Sequence, residues 1–130
     1  MSIDPNMCIL VVDDYSTMVR IMRKLLKQCG YENVHEASNG EEALAKIQEN
    51  DYDLIISDWN MEPMTGFDLL KVVRSTERTA KLPFILVTAE AKAENVEAAK
   101  SAGANCYLVK PFTAPLLKER IGEALGAVPA

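Results

Sequence analysis

Residues of complementary chemistry stand at the C-terminal edges of four short apolar runs. Asp13 and Asp14 follow Val11-Val12, Asp58 follows Ile55-Ile56-Ser57, Thr88 follows Ile85-Leu86-Val87, and Lys110 follows Tyr107-Leu108-Val109. Continuous Val/Ile/Leu runs mark parallel strands buried on both faces, and ligands of such sheets gather beyond the carboxyl ends of the strands. Three carboxylates, a hydroxyl and an ammonium are therefore expected in one pocket. Carboxylates about 5 Å apart repel by roughly 3 kcal/mol per pair at an effective dielectric near 20, so the cluster needs a counter-ion. Mg²⁺ suits it, because this hard cation takes oxygen ligands octahedrally, keeps several waters and accepts one or two carboxylates beside phosphate oxygens. Mg²⁺, clustered carboxylates and a nearby lysine are the equipment of phosphoryl transfer. Asp58 is then the candidate in-line nucleophile, Lys110 neutralises charge on the phosphoryl oxygens, and Thr88 offers one hydroxyl to them. Pro111, next to Lys110, lies in a turn where either isomer of the peptide bond is open to it.

Alternating periodicities indicate what holds these groups in place. After a strand over 7–12, Ser16 is expected to cap a helix in which Met18, Met22, Leu25, Leu26 and Cys29 recur at helical spacing until Gly30 stops it. Residues 34–37 form a short second strand, and Asn39-Gly40 leads into a helix over 41–49 with Ala43, Leu44 and Ile47 on one face. The third strand covers 52–57, and a loop through Pro63 and Thr65-Gly66 opens a helix carrying Leu69, Leu70 and Val73. Pro83 precedes the fourth strand, a helix over 92–102 ends at Gly103, a fifth strand covers 105–109, and Thr113 caps a last helix with Leu116, Leu117, Ile121 and Leu125. This alternation predicts an α/β, doubly wound, five-stranded parallel sheet with helices on both faces. If the strand order reverses between the first and third strands, Asp13, Asp14 and Asp58 flank the crevice that opens there.

Composition excludes several classes. The chain has 130 residues, enough for one domain over 1–130 that buries about two-thirds of its unfolded surface without a disulfide or structural metal. Cys8, Cys29 and Cys106 show no C-x-x-C spacing and lie in apolar stretches, which predicts buried, reduced thiols and a reducing cytoplasmic setting. No apolar run approaches the ~20 residues of a membrane span, and Met1-Ser2-Ile3-Asp4-Pro5 does not resemble an export signal. A net charge of −5 argues against a nucleic-acid partner.

Val12-Asp13-Asp14, Ser57-Asp58-Trp59-Asn60-Met61, Thr88-Ala89-Glu90-Ala91 and Tyr107-Leu108-Val109-Lys110-Pro111-Phe112 stand in the order and at the strand ends of a known family. Over roughly residues 7–125 the chain resembles the receiver domains of two-component response regulators, most closely the single-domain chemotaxis receivers. Chemotaxis receivers are the standing example of the flavodoxin-like (βα)5 fold with strand order 2-1-3-4-5, so that order comes with the resemblance. The resemblance implies that Asp58 accepts a phosphoryl group from a phosphohistidine on a histidine kinase. It implies Mg²⁺ held by Asp14, Asp58 and the backbone carbonyl of Asn60, with Asp13 acting through a water. Lys110 is expected to pair with Asp58 and then with the phosphoryl group, while Thr88 moves toward it and Tyr107 turns inward behind. Asn60 and Glu90 flank the route of an attacking water, so spontaneous loss of the phosphoryl group is expected rather than long storage. One stretch departs from the family. Receivers commonly read Met-Pro-x-Met-Asp-Gly where this chain has Met61-Glu62-Pro63-Met64-Thr65-Gly66. The added acid at Glu62 bears on metal affinity or on kinase docking.

With only a few residues after Leu125, no output domain is expected, and the output must be a partner met by a monomer. The face of the fourth helix, fifth strand and fifth helix carries Ala91, Val96, Ala99, Tyr107 and Val109 among Lys92, Lys100, Lys118 and Arg120. Such a mildly apolar, basic patch suits an acidic amphipathic peptide. By resemblance the leading reading is a chemotaxis messenger that binds the flagellar motor switch when phosphorylated. A phosphate sink or phosphorelay shuttle is the alternative. An aspartyl-nucleophile phosphatase is disfavoured because Asn60, two residues past the nucleophile, cannot protonate a leaving group. A flavin site is disfavoured because Asp13-Asp14 repel a phosphate at the first strand's end.

Overall fold

Alternation within each apolar run decides the architecture. The computed structural model describes residues 6–89 and 92–126. In it the chain runs β1 (Ile9–Val12), α1 (Ser16–Gln28), β2 (Val34–Ala37), α2 (Gly40–Glu49), β3 (Leu54–Asp58), α3 (Gly66–Ser75), a 3-10 turn (Glu77–Thr79), β4 (Phe84–Thr88), α4 (Ala93–Ala102), β5 (Cys106–Val109) and α5 (Ala114–Ala124). All neighbouring strands are parallel, in the order β2-β1-β3-β4-β5. Ile9, Val11, Leu54, Ile56, Ile85, Val87 and Leu108 pack with Met22 and Leu26 of α1 and Leu117 and Ile121 of α5. The residues between them, Leu10, Val12, Ile55, Phe84 and Leu86, pack with Ala43 and Ile47 of α2, Leu69, Leu70 and Val73 of α3, and Ala99 of α4. Successive strand residues point to opposite faces, so unbroken apolar runs build two cores.

Three expectations need correction. Ser16 is not the cap of α1 but its first residue; Tyr15 is the N-cap and makes no side-chain cap bond. The reason is Asp13, whose Oδ1 accepts the Tyr15 backbone N–H at 3.0 Å and so starts the helix one residue early. On α1 the buried stripe is Val19, Met22 and Leu26, with Met18, Leu25 and Cys29 only half-buried. The three cysteines are free thiols as expected, but half-buried rather than buried, because Cys8, Cys29 and Cys106 pack at the margins of the two cores.

Long-range side chains finish what the ladder leaves open. Asn33 O accepts from Ile9 N of β1 and Ala37 O from Asp13 N just past it, so the alternate carbonyls of Val34 and Glu36 face the free edge of β2. There Arg23 donates to Val34 O at 3.0 Å and Lys46 donates to Glu36 O, which blunts the edge against pairing with another chain. Behind α4, Arg74 of α3 donates through Nε to Gly103 O and through Nη2 to Asn105 Oδ1, both at 2.8 Å. Gly103 ends α4 with φ of 99°, a left-handed conformation suited to glycine.

Candidate functional site

Backbone bonds continue just past the strands and fix where each reactive side chain begins. Asp13 N donates to Ala37 O at 3.1 Å, Trp59 N to Val87 O at 2.8 Å, and Lys110 N to Thr88 O at 2.8 Å. Register sets Val12 beside Ser57, Asp58 beside Val87, and Thr88 beside Val109. The strand order reverses at β1, between β2 and β3, and the expected crevice lies there.

Asp13, Asp14 and Asp58 each offer an oxygen within 4.8 Å of the others. Asp13 and Asp58 are each only 7% exposed, whereas Asp14 is exposed. Burial first, and then the charge of Asp58, raise the Asp13 carboxyl above its ordinary range against the pull of the Tyr15 N–H and Lys110. Lys110 Nζ stands 2.9 Å from Asp58 Oδ1 and 4.0 Å from Asp13 Oδ2. Although so close, the ammonium lies off the angle of a hydrogen bond, and among the described residues the buried Asp58 Oδ1 has no hydrogen-bond donor. A buried carboxylate oxygen with an ammonium beside it but no directed donor is open to a cation or an electrophile. Mg²⁺ takes one or two carboxylates and keeps several waters, so two of these carboxylates would hold the ion directly and the third through a water. The donor set is all oxygen, as a hard divalent cation requires.

The other expected residues are placed as follows. Thr88 is buried at the end of β4, and with Trp59, Asn60 and Lys92 it lines a depression of about 300 Å³ at the carboxyl ends of β3 and β4. Asn60 is exposed there, on the solvent side. Tyr107 and Val109 are half-buried on β5, and Val96 is half-buried on α4. Ala99 does not lie on the open face: it is 2% exposed and packs in the core. Glu90 and Ala91 lie outside the described residues. Lys110–Pro111 and Glu62–Pro63 are both cis. Glu62 is exposed, and Thr65, which replaces the family's usual aspartate, caps α3: its Oγ1 accepts from Asp68 N at 3.0 Å while Asp68 Oδ2 accepts from Thr65 N at 3.2 Å.

Sequence reasoning missed two contributors. Gly66, read only as part of a turn, passes directly against the Asp58 carbonyl. Arg74, whose partners Gly103 and Asn105 are remote in sequence, left no periodic signal.

The model of the response regulator receiver domain family matches residues 9–122. Chemotaxis protein CheY-3 of Vibrio cholerae is 48% identical over 119 residues, 92% of each chain. Chemotaxis protein CheY of Pseudomonas aeruginosa is 50% identical over 115 residues, covering 88% of this chain and 93% of that one. The receiver domain of the sensor histidine kinase PA1611 from Pseudomonas aeruginosa, solved with a magnesium ion coordinated in its active-site cleft, superposes with a TM-score of 0.83 at 27% identity, over 93% of this chain and 98% of that one. With four motifs at the matching strand ends of a 2-1-3-4-5 sheet, this chain belongs to the response regulator receiver domains.

Proposed function

We propose that this chain is a phosphoryl-accepting switch of a two-component system, with Asp58 as acceptor, acting in chemotaxis on the flagellar motor switch. The observation that carries the reading is the Asp58–Lys110 pair at 2.9 Å inside the three-carboxylate cluster. An Asp58 carboxylate oxygen attacks the phosphorus of a phosphohistidine on a histidine kinase. The N–P bond breaks with its electron pair passing to the imidazole, and an aspartyl phosphate forms. Mg²⁺ held by Asp14, Asp58 and the Asn60 carbonyl, with Asp13 behind a water, offsets charge on the transferring oxygens. Lys110 moves from Asp58 to a phosphoryl oxygen, and Thr88 donates its hydroxyl to another. Tyr107, on the neighbouring strand, follows Thr88 inward and changes the face of α4, β5 and α5. Water admitted past Asn60 and Glu90 returns Asp58 to its free carboxylate and releases phosphate. The chain thus assists its own phosphorylation and dephosphorylation rather than turning over another substrate, and works as a monomeric receiver in the cytoplasm.

Trp59 reports on this directly, since it follows Asp58 and stacks on Phe67 with centroids 5.2 Å apart. Mg²⁺ and then beryllofluoride or acetyl phosphate should change its fluorescence, and Asp58→Asn should abolish the response to acetyl phosphate. An unchanged response in that variant removes Asp58 from the acceptor role. Pull-down with Mg²⁺, with and without beryllofluoride, tests the output: a flagellar switch component recovered only with beryllofluoride supports the motor role. Recovery of kinases or phosphotransferases alone, in either state, favours a sink.

A further inference from the structure

Between α4, β5 and α5 lies a groove of about 240 Å³, with Lys100, Tyr107, Arg120 and Glu123 on its walls and the buried Ala99 at its floor. The charges of the wider face cancel: Lys92, Lys100, Lys118 and Arg120 stand with Glu94, Glu97, Glu119 and Glu123. Its sign toward a partner is therefore set locally. Within the groove two cations, Lys100 and Arg120, meet one acid, Glu123.

That acid is held from two elements. Both Glu123 carboxylate oxygens accept from Arg120 Nη1, at 3.1 and 3.2 Å, and Oε2 also accepts the Cys106 thiol of β5 at 3.1 Å. Burial, with the neighbouring carboxylate, pushes the thiol up to about 12, so it remains a protonated donor throughout the physiological range. The Arg120 and Glu123 side chains are 31% and 48% exposed, open to an incoming group. Exposed ion pairs are weakly held, and the Arg120 guanidinium, which meets Glu123 through Nη1 alone, can donate to an external carboxylate in a two-nitrogen fork.

We propose that Glu123 is a built-in competitor in the docking groove: its carboxylate occupies Arg120 in the free protein, and an Asp or Glu side chain of a partner's acidic amphipathic segment displaces it. This rests on the reading of the α4, β5 and α5 face as the output surface. The occupant follows from charge, because displacing Glu123 leaves Arg120 and Lys100 flanking Tyr107 over an apolar floor. Glu123 thereby sets the threshold of acidity that a partner must exceed, and Cys106 is a positioning residue that keeps it in place.

The test uses the full chain with Mg²⁺ and beryllofluoride and a short synthetic peptide bearing Leu on one helical face and Glu and Asp on the other, read by fluorescence anisotropy. Glu123→Gln keeps the side-chain shape, removes the competing charge and tightens binding about three- to fivefold. Arg120→Gln weakens binding, and in that background Glu123→Gln no longer tightens it, because the acid acts through the guanidinium. An equal gain in both backgrounds would reduce Glu123 to a diffuse field and overturn the proposal. So would weaker or unchanged binding in Glu123→Gln, or the absence of binding in every variant. Measuring the wild type without beryllofluoride separates the two levels. Equal binding in both states removes the switch reading of the face, while the Glu123–Arg120 cycle is still decided by its own values.

Discussion

A Cβ built on Gly66 would stand 2.1 Å from the carbonyl oxygen of Asp58 and 2.9 Å from its carbonyl carbon. The first turn of α3 closes on the backbone of Asp58 itself, with Gly66 N donating to Trp59 O at 3.0 Å. The Ser57 hydroxyl donates to the same Asp58 carbonyl at 3.0 Å. Because the obstacle is backbone rather than a flexible side chain, Gly66→Ala must shift the turn. We expect a loss of roughly 1–3 kcal/mol in urea unfolding, together with a weaker Trp59 response to Mg²⁺. Wild-type values for both would mean that the turn moves freely, independent of the site.

Thr65 and Asp68 form a reciprocal capping box at the start of α3. Thr65→Ala should cost about 1 kcal/mol. Thr65→Asp, which restores the residue usual in the family, keeps an N-cap acceptor and should unfold within about 0.5 kcal/mol of the wild type. A large loss for Thr65→Asp would show that the threonine is needed for more than the cap.

Three carboxylates within 4.8 Å repel one another, so Mg²⁺ should stabilise the fold by binding only the native state. At a tenfold excess over its dissociation constant the gain is about 1.4 kcal/mol, or about 4–8 °C in thermal melting for a domain of this size. Chelation should reverse it. Asp14→Asn should erase most of the increment without lowering the metal-free melting temperature, as scanning calorimetry can check. An undiminished increment in that variant would place the ion elsewhere.

The Cys106 thiol is raised from an ordinary 9.0 to about 12, by burial first and then by its hydrogen bond to Glu123. A thiol that holds its proton more tightly when folded than unfolded contributes stability that is complete below 9.0. That stability is lost as the pH rises from 9.0 to about 12. The wild type should therefore weaken more steeply than Cys106→Ala across that window. In the native protein Cys106 should be the slowest of the three thiols to react with a disulfide reagent near neutral pH, and Glu123→Gln should speed it by lowering its pKa. Mass-spectrometric mapping of modified cysteines checks both.

The sequence alone determined the strand and helix order, the two-sided burial of the sheet, and the strand-end placement of Asp13, Asp14, Asp58, Thr88 and Lys110. These features are written locally: apolar runs, helical spacing and caps such as Asn39 and Thr113 act over a few residues. Helix boundaries proved less legible. Ser16 lost the cap of α1 because the Asp13 side chain satisfies Tyr15 first, a bond that depends on how the loop turns after β1. The half-burial of Cys8, Cys29 and Cys106, the burial of Ala99, the passage of Gly66 over Asp58 and the Arg74 bonds to Gly103 and Asn105 were decided by the tertiary structure alone. Each depends on which elements come to lie side by side. The same holds for the face of α4, β5 and α5: Arg120 and Glu123 are an i,i+3 pair within α5, but only packing of α5 on β5 brought the Cys106 thiol to Glu123. Charges along a helix and their i,i+3 and i,i+4 pairs can be read from the chain, whereas a partner on another element is fixed by geometry between segments far apart in sequence.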